Sequence, residues 1–311
     1  MIFTIQKSVS IVEYTYTMLI SRQNLSVIIV SFKSDHIIQQ CIDSIDKEIE
    51  IIVIENSNNV EFKKHIENEY KNVRCILSTK NMGMGAGNNI GIRNTNKDFA
   101  LILNPDVILE KDAINQIINA SKMIDSFSII APILDKIKYP NYTLDKKKNQ
   151  KFDPIKPFKV KSVDGYSMLL NLKRLKHIIN FNFFDENIFL YLENDDLCKR
   201  LKLINENIYV VPKSKINHLG GQAVDPKYKK EIELVRNWHW MWSKFYFNNK
   251  HYGYLNATIR ILKNLISAII KSFFYSIIFD SYKSKIYKMR LSGLLNSMRG
   301  KKSFLRPKLD N

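Results

Sequence analysis

The sequence has few cysteines, no membrane-length apolar run and too few acidic residues to balance its bases. Three cysteines in 311 residues (Cys41, Cys75, Cys198) are odd in number and share no CxxC spacing. That excludes a disulfide framework and a thiolate zinc site, and points to a reducing compartment. No stretch reaches the roughly 18 to 20 uninterrupted apolar residues of a membrane-spanning helix. Residues 1–24 lack the basic start, long apolar core and small-residue cleavage site of a signal peptide, so they read as an extension of unknown role or as sequence upstream of a true start at Met18. With 45% hydrophobic and 25% charged residues the chain can bury a full core, which excludes general disorder.

The shortage of acid is local. From Lys227 to the end there are 18 Lys and Arg against 4 Asp and Glu, a local +14, which leaves +4 of the total +18 for everything before. Basicity belongs to the C-terminal tail, and the rest has the charge of an ordinary globular domain.

From Leu25 onward, short apolar runs alternate with segments of helical period. The runs LSVIIVSF (25–32), EIIVIE (50–55), VRCIL (73–77) and DFALIL (98–103) are unbroken, as in strands covered on both faces. The pattern predicts an α/β fold with a mostly parallel sheet flanked by helices, whose ligands bind beyond the carboxyl ends of the strands.

Four segments at such ends can carry chemistry. Asn104-Pro105-Asp106 follows the fourth run, where a fixed carboxylate beside an amide oxygen suits a hard divalent cation, although the bare tripeptide is usually a turn. NMGMGAGNNIGI (81–92) places four glycines in a strand-to-helix connection, suited to a phosphate or to tight packing. Glu193, Asp195 and Asp196 crowd the start of a helix in FDENIFLYLENDDLCKRL (184–201), where carboxylates either cap the helix or supply a general base. His218 in NHLGGQ (217–222) is a candidate metal ligand or a structural histidine. His36, His65, His177, His239 and His251 show no recognisable partners.

Together these segments resemble the family 2 GT-A glycosyltransferases, in particular bacterial rhamnosyltransferase-like enzymes of surface-polysaccharide assembly. The resemblance covers residues 25 to about 222 and implies a transferase domain over 25–225. It implies a nucleotide diphosphosugar donor, dTDP- or UDP-linked, held near Ser31, Glu55, Asn56, Asn81, Gly83, Asn88, Asn104 and Asp106. It also implies Mg²⁺ or Mn²⁺ on Asp106 and His218, and an inverting transfer of rhamnose or a hexose to a saccharide or lipid-linked saccharide. The sequence departs from the family pattern twice. Asn104 stands where an aspartate is common, and Asn194 stands where the usual base lies. An amide cannot accept the proton, which leaves Glu193, Asp195 or Asp196 as the catalytic carboxylate.

Residues 226–311 read as a basic, aromatic, helical tail. On a helical projection of about 100° per residue, Arg260, Lys263, Asn264, Ser267 and Lys271 share one arc, with Ile, Leu and Phe around the remainder. Such a helix either lies in a membrane interface or packs a broad apolar face on the domain. The expectation is a peripheral enzyme on the anionic inner face of the plasma membrane, with no nucleic-acid partner, since the basic residues sit among aliphatic runs. A nucleotidyltransferase would normally show a glycine-bearing loop after the first strand, which SFKSDHII lacks. A transferase-like module impaired at Asn194 is the other alternative.

Overall fold

The computed structural model describes residues 19–135, 140–145, 153, 155–178 and 182–309. The four apolar runs form β1 (Leu25–Ser31), β2 (Glu50–Glu55), β3 (Val73–Leu77) and β4 (Phe99–Leu103), connected through α1 (Ile38–Asp43), α2 (Val60–Glu69) and α3 (Met84–Arg93). There follow β5 (Val107–Leu109), α4 (Ala113–Ser121), β6 (Ile129–Leu134) and three two-residue strands, β7 (Tyr142–Thr143), β8 (Phe158–Lys159) and β9 (Ser162–Val163). The α/β part closes with β10 (Ser167–Asn171), α5 (Leu172–Ile178), α6 (Glu193–Leu203) and the long β11 (Ile208–His218).

The main sheet runs β3-β2-β1-β4-β10-β6-β11-β5, with β8 beside β11. The first four strands are parallel, as their unbroken apolar character requires, and all seven residues of β1 are buried. β10 enters antiparallel between β4 and β6, and β5 pairs antiparallel with β11 at the far edge, so the sheet is mixed. Parallel register brings Ser31 opposite Glu55 and Glu55 opposite Leu77, which aligns the carboxyl ends of three strands. α3 lies hard on β1: a Cβ at Gly91 would stand 2.4 Å from Ile28, and one at Gly87 would stand 2.9 Å from Val30. Half of the glycine cluster therefore serves helix-on-strand packing.

All three thiols are buried and unpaired, and burial pushes Cys75 and Cys198 up to about 12, which keeps them protonated and inert. Of the expected N-terminal extension, residues 1–18 lie outside the described residues. Residues 19–24 dock on the domain: Ile20 is buried, and Arg22 pairs with Asp46 at 2.8 Å and donates to Asn115. Much of the long loop expected after β6 also lies outside the described residues.

The tail forms three long helices, α7 (Lys229–Tyr252), α8 (Tyr254–Ile277) and α9 (Ser281–Met298). α7 is locked to the α/β part through Asp196, which is fully buried and meets Arg200 at 2.9 Å, Lys250 at 2.8 Å and His251 at 2.8 Å. Lys250 also reaches Asp185 at 2.7 Å, and the Tyr246 hydroxyl donates to the same carboxylate. After α9 the chain returns to the glycine-rich segment, where the Arg306 guanidinium lies 3.8 Å from the Phe189 ring centroid and donates to the Asn81 carbonyl.

α8 has three stripes. Ala257, Ile261 and Ala268 are buried against the neighbouring helices. On the opposite side Leu255, Ile259, Leu262, Ile266, Ile270 and Phe273 are exposed, Leu255 by 78% and Ile259 by 71%. Arg260, Lys263 and Lys271 occupy the arc between. A narrow small-residue face of this helix thus packs, and a wide apolar face does not.

Candidate active site

The β5–β11 pairing builds the polar corner of the site. It sets His218 opposite Val107, next to Asp106, and the His218 Nε2 lies 3.4 Å from Asp106 Oδ1, at ion-pair distance but without hydrogen-bond geometry. Asp106 is 2% exposed; its Oδ2 accepts from the Gln222 amide at 3.2 Å, and its carbonyl accepts from the Leu219 amide at 3.0 Å. Burial pushes the Asp106 carboxyl up, but His218 and the Gln222 amide more than reverse this and hold it below the ordinary carboxylate range. Its Oδ1 has no hydrogen-bond partner, and the buried Oδ1 of Asn104 has none either. Buried acceptors left open in this way are costly unless a ligand completes them.

The donor set fits a hard divalent cation: a carboxylate oxygen, an imidazole nitrogen and an amide oxygen. Among the described residues no three His, Cys, Asp or Glu side chains form a metal-binding group. An ion here would complete its shell from substrate oxygens and water, as Mg²⁺ commonly does. Tyr166 stacks on His218 with centroids 4.0 Å apart, and the Asn104 backbone N–H donates to the Tyr166 carbonyl at 2.9 Å. Asp164, nearby, is pushed up by burial, with His218 and the Tyr166 hydroxyl opposing.

At the strand ends, Ser31 Oγ and Asn88 Oδ1 are buried without partners. Asn56 braces the glycine-rich segment: its amide donates to the Gly83 carbonyl at 3.2 Å, and its backbone N–H donates to the Ser31 carbonyl at 2.8 Å. Glu55 has a role that its sequence did not suggest. One carboxylate oxygen accepts from the Ser57 backbone N–H and hydroxyl, and the other accepts from the Asn59 backbone N–H at 2.6 Å, so Glu55 shapes the turn after β2. Asn81 accepts from the Gly83 amide at 3.0 Å. Gly83 has φ of 85°, and a Cβ there would lie 2.3 Å from the Phe189 carbonyl oxygen, so this glycine is needed for contact with the 184–192 loop.

That loop delivers the carboxylates. Tyr191 and Leu192 have φ of 68° and 69°, a left-handed pair that costs on the order of 1 kcal/mol per non-glycine residue. The pair is held by the Tyr191 ring edge-on to Trp240 and by the Ser243 hydroxyl donating to the Leu190 carbonyl at 2.7 Å. α6 then starts abruptly and separates its four polar residues. Glu193 is buried, its Oε2 has no partner, and burial pushes its carboxyl up to about 7, with the charge of Asp195 adding to the effect. The Asn194 amide donates to the Val163 carbonyl at 2.8 Å and secures the link into β10. Asp195 is pushed up by burial and by Asp164, while Ser162 and Lys161 oppose. Asp196 is the hub that clamps α7. A Cβ at Gly85 of α3 would be 3.5 Å from the Glu193 Cβ, which places Glu193 against the start of α3.

Residues 26–170 match the family model for Glycosyl transferase family 2. The chain carries a glycosyl transferase family 2 domain. It is similar to the low-salt glycan biosynthesis hexosyltransferase Agl10 of Haloferax volcanii, 28% identical over 65% of this chain and 68% of that protein. It is also similar to the rhamnosyltransferase WbbL of Escherichia coli K12, 26% identical over 60% of this chain and 80% of that protein. Among solved structures, the mannosyltransferase PcManGT from Pyrobaculum calidifontis, in complex with GDP-Man and Mn²⁺, superposes with a TM-score of 0.53 at 10% identity. The superposition covers 90% of this chain and 88% of that one, and it establishes a shared fold.

Several residues that shape this candidate site carry no motif. Asp164 and Tyr166 lie within VDGYSMLLN, a segment read from sequence only as apolar pattern. His239 is buried on the loop, with its ring centroid 4.5 Å from that of Phe189; its Nε2 contacts the Leu305 carbonyl at 2.8 Å and its Nδ1 contacts the Ser303 hydroxyl at 3.0 Å. In this arrangement Nε2–H donates and Nδ1 accepts, a neutral tautomer, and burial lowers the group to about 4. The signal for His239 and His251 lies in partners more than 50 residues away.

Proposed function

We propose that the chain is an inverting glycosyltransferase that moves a sugar from a dTDP- or UDP-linked donor to a saccharide or lipid-linked saccharide acceptor. The observation that carries this reading is the polar corner at the carboxyl ends of β1–β4. There Asp106 and His218 face each other at 3.4 Å beside open acceptor atoms of Asn104 and Asp106. Asp106, His218 and Asn104 would hold Mg²⁺ or Mn²⁺, which when bound supplies positive charge against the departing diphosphate. The left-handed turn at Tyr191–Leu192 fixes Glu193 with a free carboxylate oxygen. A carboxyl poised at about 7 is suited to take the acceptor hydroxyl's proton at neutral pH. Attack on the face opposite the diphosphate then inverts the anomeric centre in a single displacement. Asp195, beside Asp164, and Asp196, committed to α7, hold the loop in place. The rhamnosyltransferase and hexosyltransferase names of the relatives support either sugar.

The same reading places the enzyme on the cytoplasmic, anionic leaflet of the plasma membrane. No helix among the described residues is long and apolar enough to cross a membrane. The exposed face of α8, edged by Arg260, Lys263 and Lys271, has the apolar and basic stripes of an interfacial helix.

The deciding experiment is a thermal-shift screen of UDP, dTDP and GDP with and without Mn²⁺. A ligand at 100 times its Kd adds about 2.7 kcal/mol to stability. One nucleoside diphosphate is expected to raise the midpoint only with Mn²⁺ and to fail with Asp106→Ala. No shift with any of the three would overturn the reading.

A further inference from the structure

The segment after α9 runs back to the loop that presents Glu193. It is fixed to α7 on the way: the Trp242 indole donates to the Lys301 carbonyl at 3.0 Å, the Ser303 hydroxyl and the Leu305 carbonyl take the two ring nitrogens of His239, and Phe304 meets Trp238 edge-on with centroids 5.1 Å apart. Arg306 then reaches forward. Its Nε donates to the Asn81 carbonyl at 3.2 Å, one terminal nitrogen donates to the Ser303 and Leu305 carbonyls at 2.9 Å each, and the guanidinium lies 3.8 Å from the Phe189 ring centroid. No carboxylate is ion-paired with it among the described residues. An arginine beside a strand-end site could serve as a phosphate ligand, but a fork divided among three carbonyls and laid on a ring is already engaged within the chain.

What Arg306 engages is the loop. Phe189 is buried, its ring contacts both Arg306 and His239, and its carbonyl accepts from the Met84 backbone N–H at 2.9 Å, at the start of α3. Four residues on stands Glu193, across the left-handed pair Tyr191–Leu192, a backbone that persists only where its surroundings fix it. The glycine-rich side has separate braces, since the Asn56 side chain holds the Gly83 carbonyl and the Asn81 side chain holds the Gly83 backbone N–H. Loss of the Arg306 side chain would therefore free the Phe189 side and leave the Asn81–Gly83 side held. A shift of about 1 Å in a reacting group can cost on the order of 10²-fold in rate, so a contact that fixes this loop acts on the chemistry from outside the site.

We propose that Arg306 is a positioning residue for Glu193: clamped between the Phe189 ring and the Asn81 carbonyl, it holds the 189–193 backbone in its strained form and keeps Glu193 shut away from water. The clamp is a property of the chain alone, and its meaning for sugar transfer rests on the glycosyltransferase reading. The test needs no substrate. Amide hydrogen exchange is followed across the full chain, and the Glu193 carboxyl is titrated by carbon-13 NMR, with Glu193→Gln to assign its signal. Burial pushes that carboxyl up to about 7; Asp195 on the same helix adds to the effect, Tyr191 faces it from the loop, and the start of α3 packed against it, Met84 to Asn88, carries no charged side chain. In Arg306→Gln, exchange at 189–193 is expected to accelerate by about ten-fold or more, and the Glu193 midpoint to fall towards the ordinary carboxylate range as water enters. Exchange in β1–β4 and the melting midpoint are expected to stay as in the wild type, since the Arg306 side chain is exposed. Arg306→Lys, which keeps the charge but not the fork, is expected to lie between the two, and Lys302→Gln to match the wild type. Unchanged exchange and titration in Arg306→Gln, or an acceleration shared equally by β1–β4, would overturn the proposal. If Arg306→Gln behaves as expected while no nucleoside diphosphate shifts the wild-type melting midpoint, the clamp stands and the glycosyltransferase reading fails. If a nucleotide shifts that midpoint while Arg306→Gln exchanges and titrates like the wild type, the reading stands and the clamp fails.

Discussion

The two halves of the molecule leave opposite kinds of group unsatisfied. The α/β part buries both faces of its central strands and leaves polar atoms open, among them Ser31 Oγ, Asn88 Oδ1, Asn104 Oδ1, Asp106 Oδ1 and Glu193 Oε2. The helical part bonds its buried polar groups, including His239 to Leu305 and Ser303 and the Ser297 hydroxyl to the Trp242 carbonyl, and leaves an apolar face of α8 in the open. Open acceptors in a buried corner suit a charged, oxygen-rich ligand, and an open apolar stripe edged by bases suits lipid. On the function proposed above, the contrast gives the nucleotide sugar to one half and the membrane to the other, with the 184–192 loop and Asp196 joining them.

Substitutions that touch only one half should break only one function. Asp106→Ala should lower sugar transfer on the order of 10³-fold by removing preorganised charge, with vesicle binding unchanged. Glu193→Gln should lower turnover by roughly 10²-fold or more. The wild-type rate should rise with pH through about 7, as Glu193 ionises, and the residual rate of the variant should lack that limb. A larger loss in Asp195→Asn, with Glu193→Gln near wild type, would move the base to Asp195.

The joint between the halves has its own pH signature. His239 is neutral when folded, lowered to about 4, so in acid the unfolded chain takes up a proton that the folded chain refuses. Stability is therefore lost as pH falls from about 6.5 towards 4, by about 3 kcal/mol at full effect. Urea denaturation should show the gap between wild type and His239→Gln narrowing by roughly that amount across the window. A gap independent of pH would remove His239 from the joint. The smallest effect is expected for Ile259→Asp/Phe273→Asp on the exposed face of α8. Affinity for anionic vesicles should fall by about 2 kcal/mol or more, with the melting midpoint little changed, since these side chains are exposed.

How much of this was legible in the sequence followed the range of the interactions. β1 to β4 were readable because a strand covered on both faces leaves an unbroken apolar run, and Asp106, Glu193 and His218 stood out at segment ends. Glu55 was harder to read, although the short polar residues Ser57 and Asn59 after it were the local signal of a carboxylate-held turn. Asp164 and His251 were opaque because their meaning depends on strand register and on a helix docked from 55 residues away. Periodicity gave the arc of bases on α8. Ala257 and Ala268 mark the side that packs, since small residues let helices approach closely, and only the structure separates that narrow face from the wide exposed one.

The most direct test of the central claim is a crystal structure of the protein with a nucleoside diphosphate and Mn²⁺, read by anomalous scattering. The account predicts one manganese peak between Asp106 and His218, about 2.1 Å from a carboxylate oxygen, with the diphosphate on its open side. A peak elsewhere, or a nucleotide bound away from that corner, would contradict it.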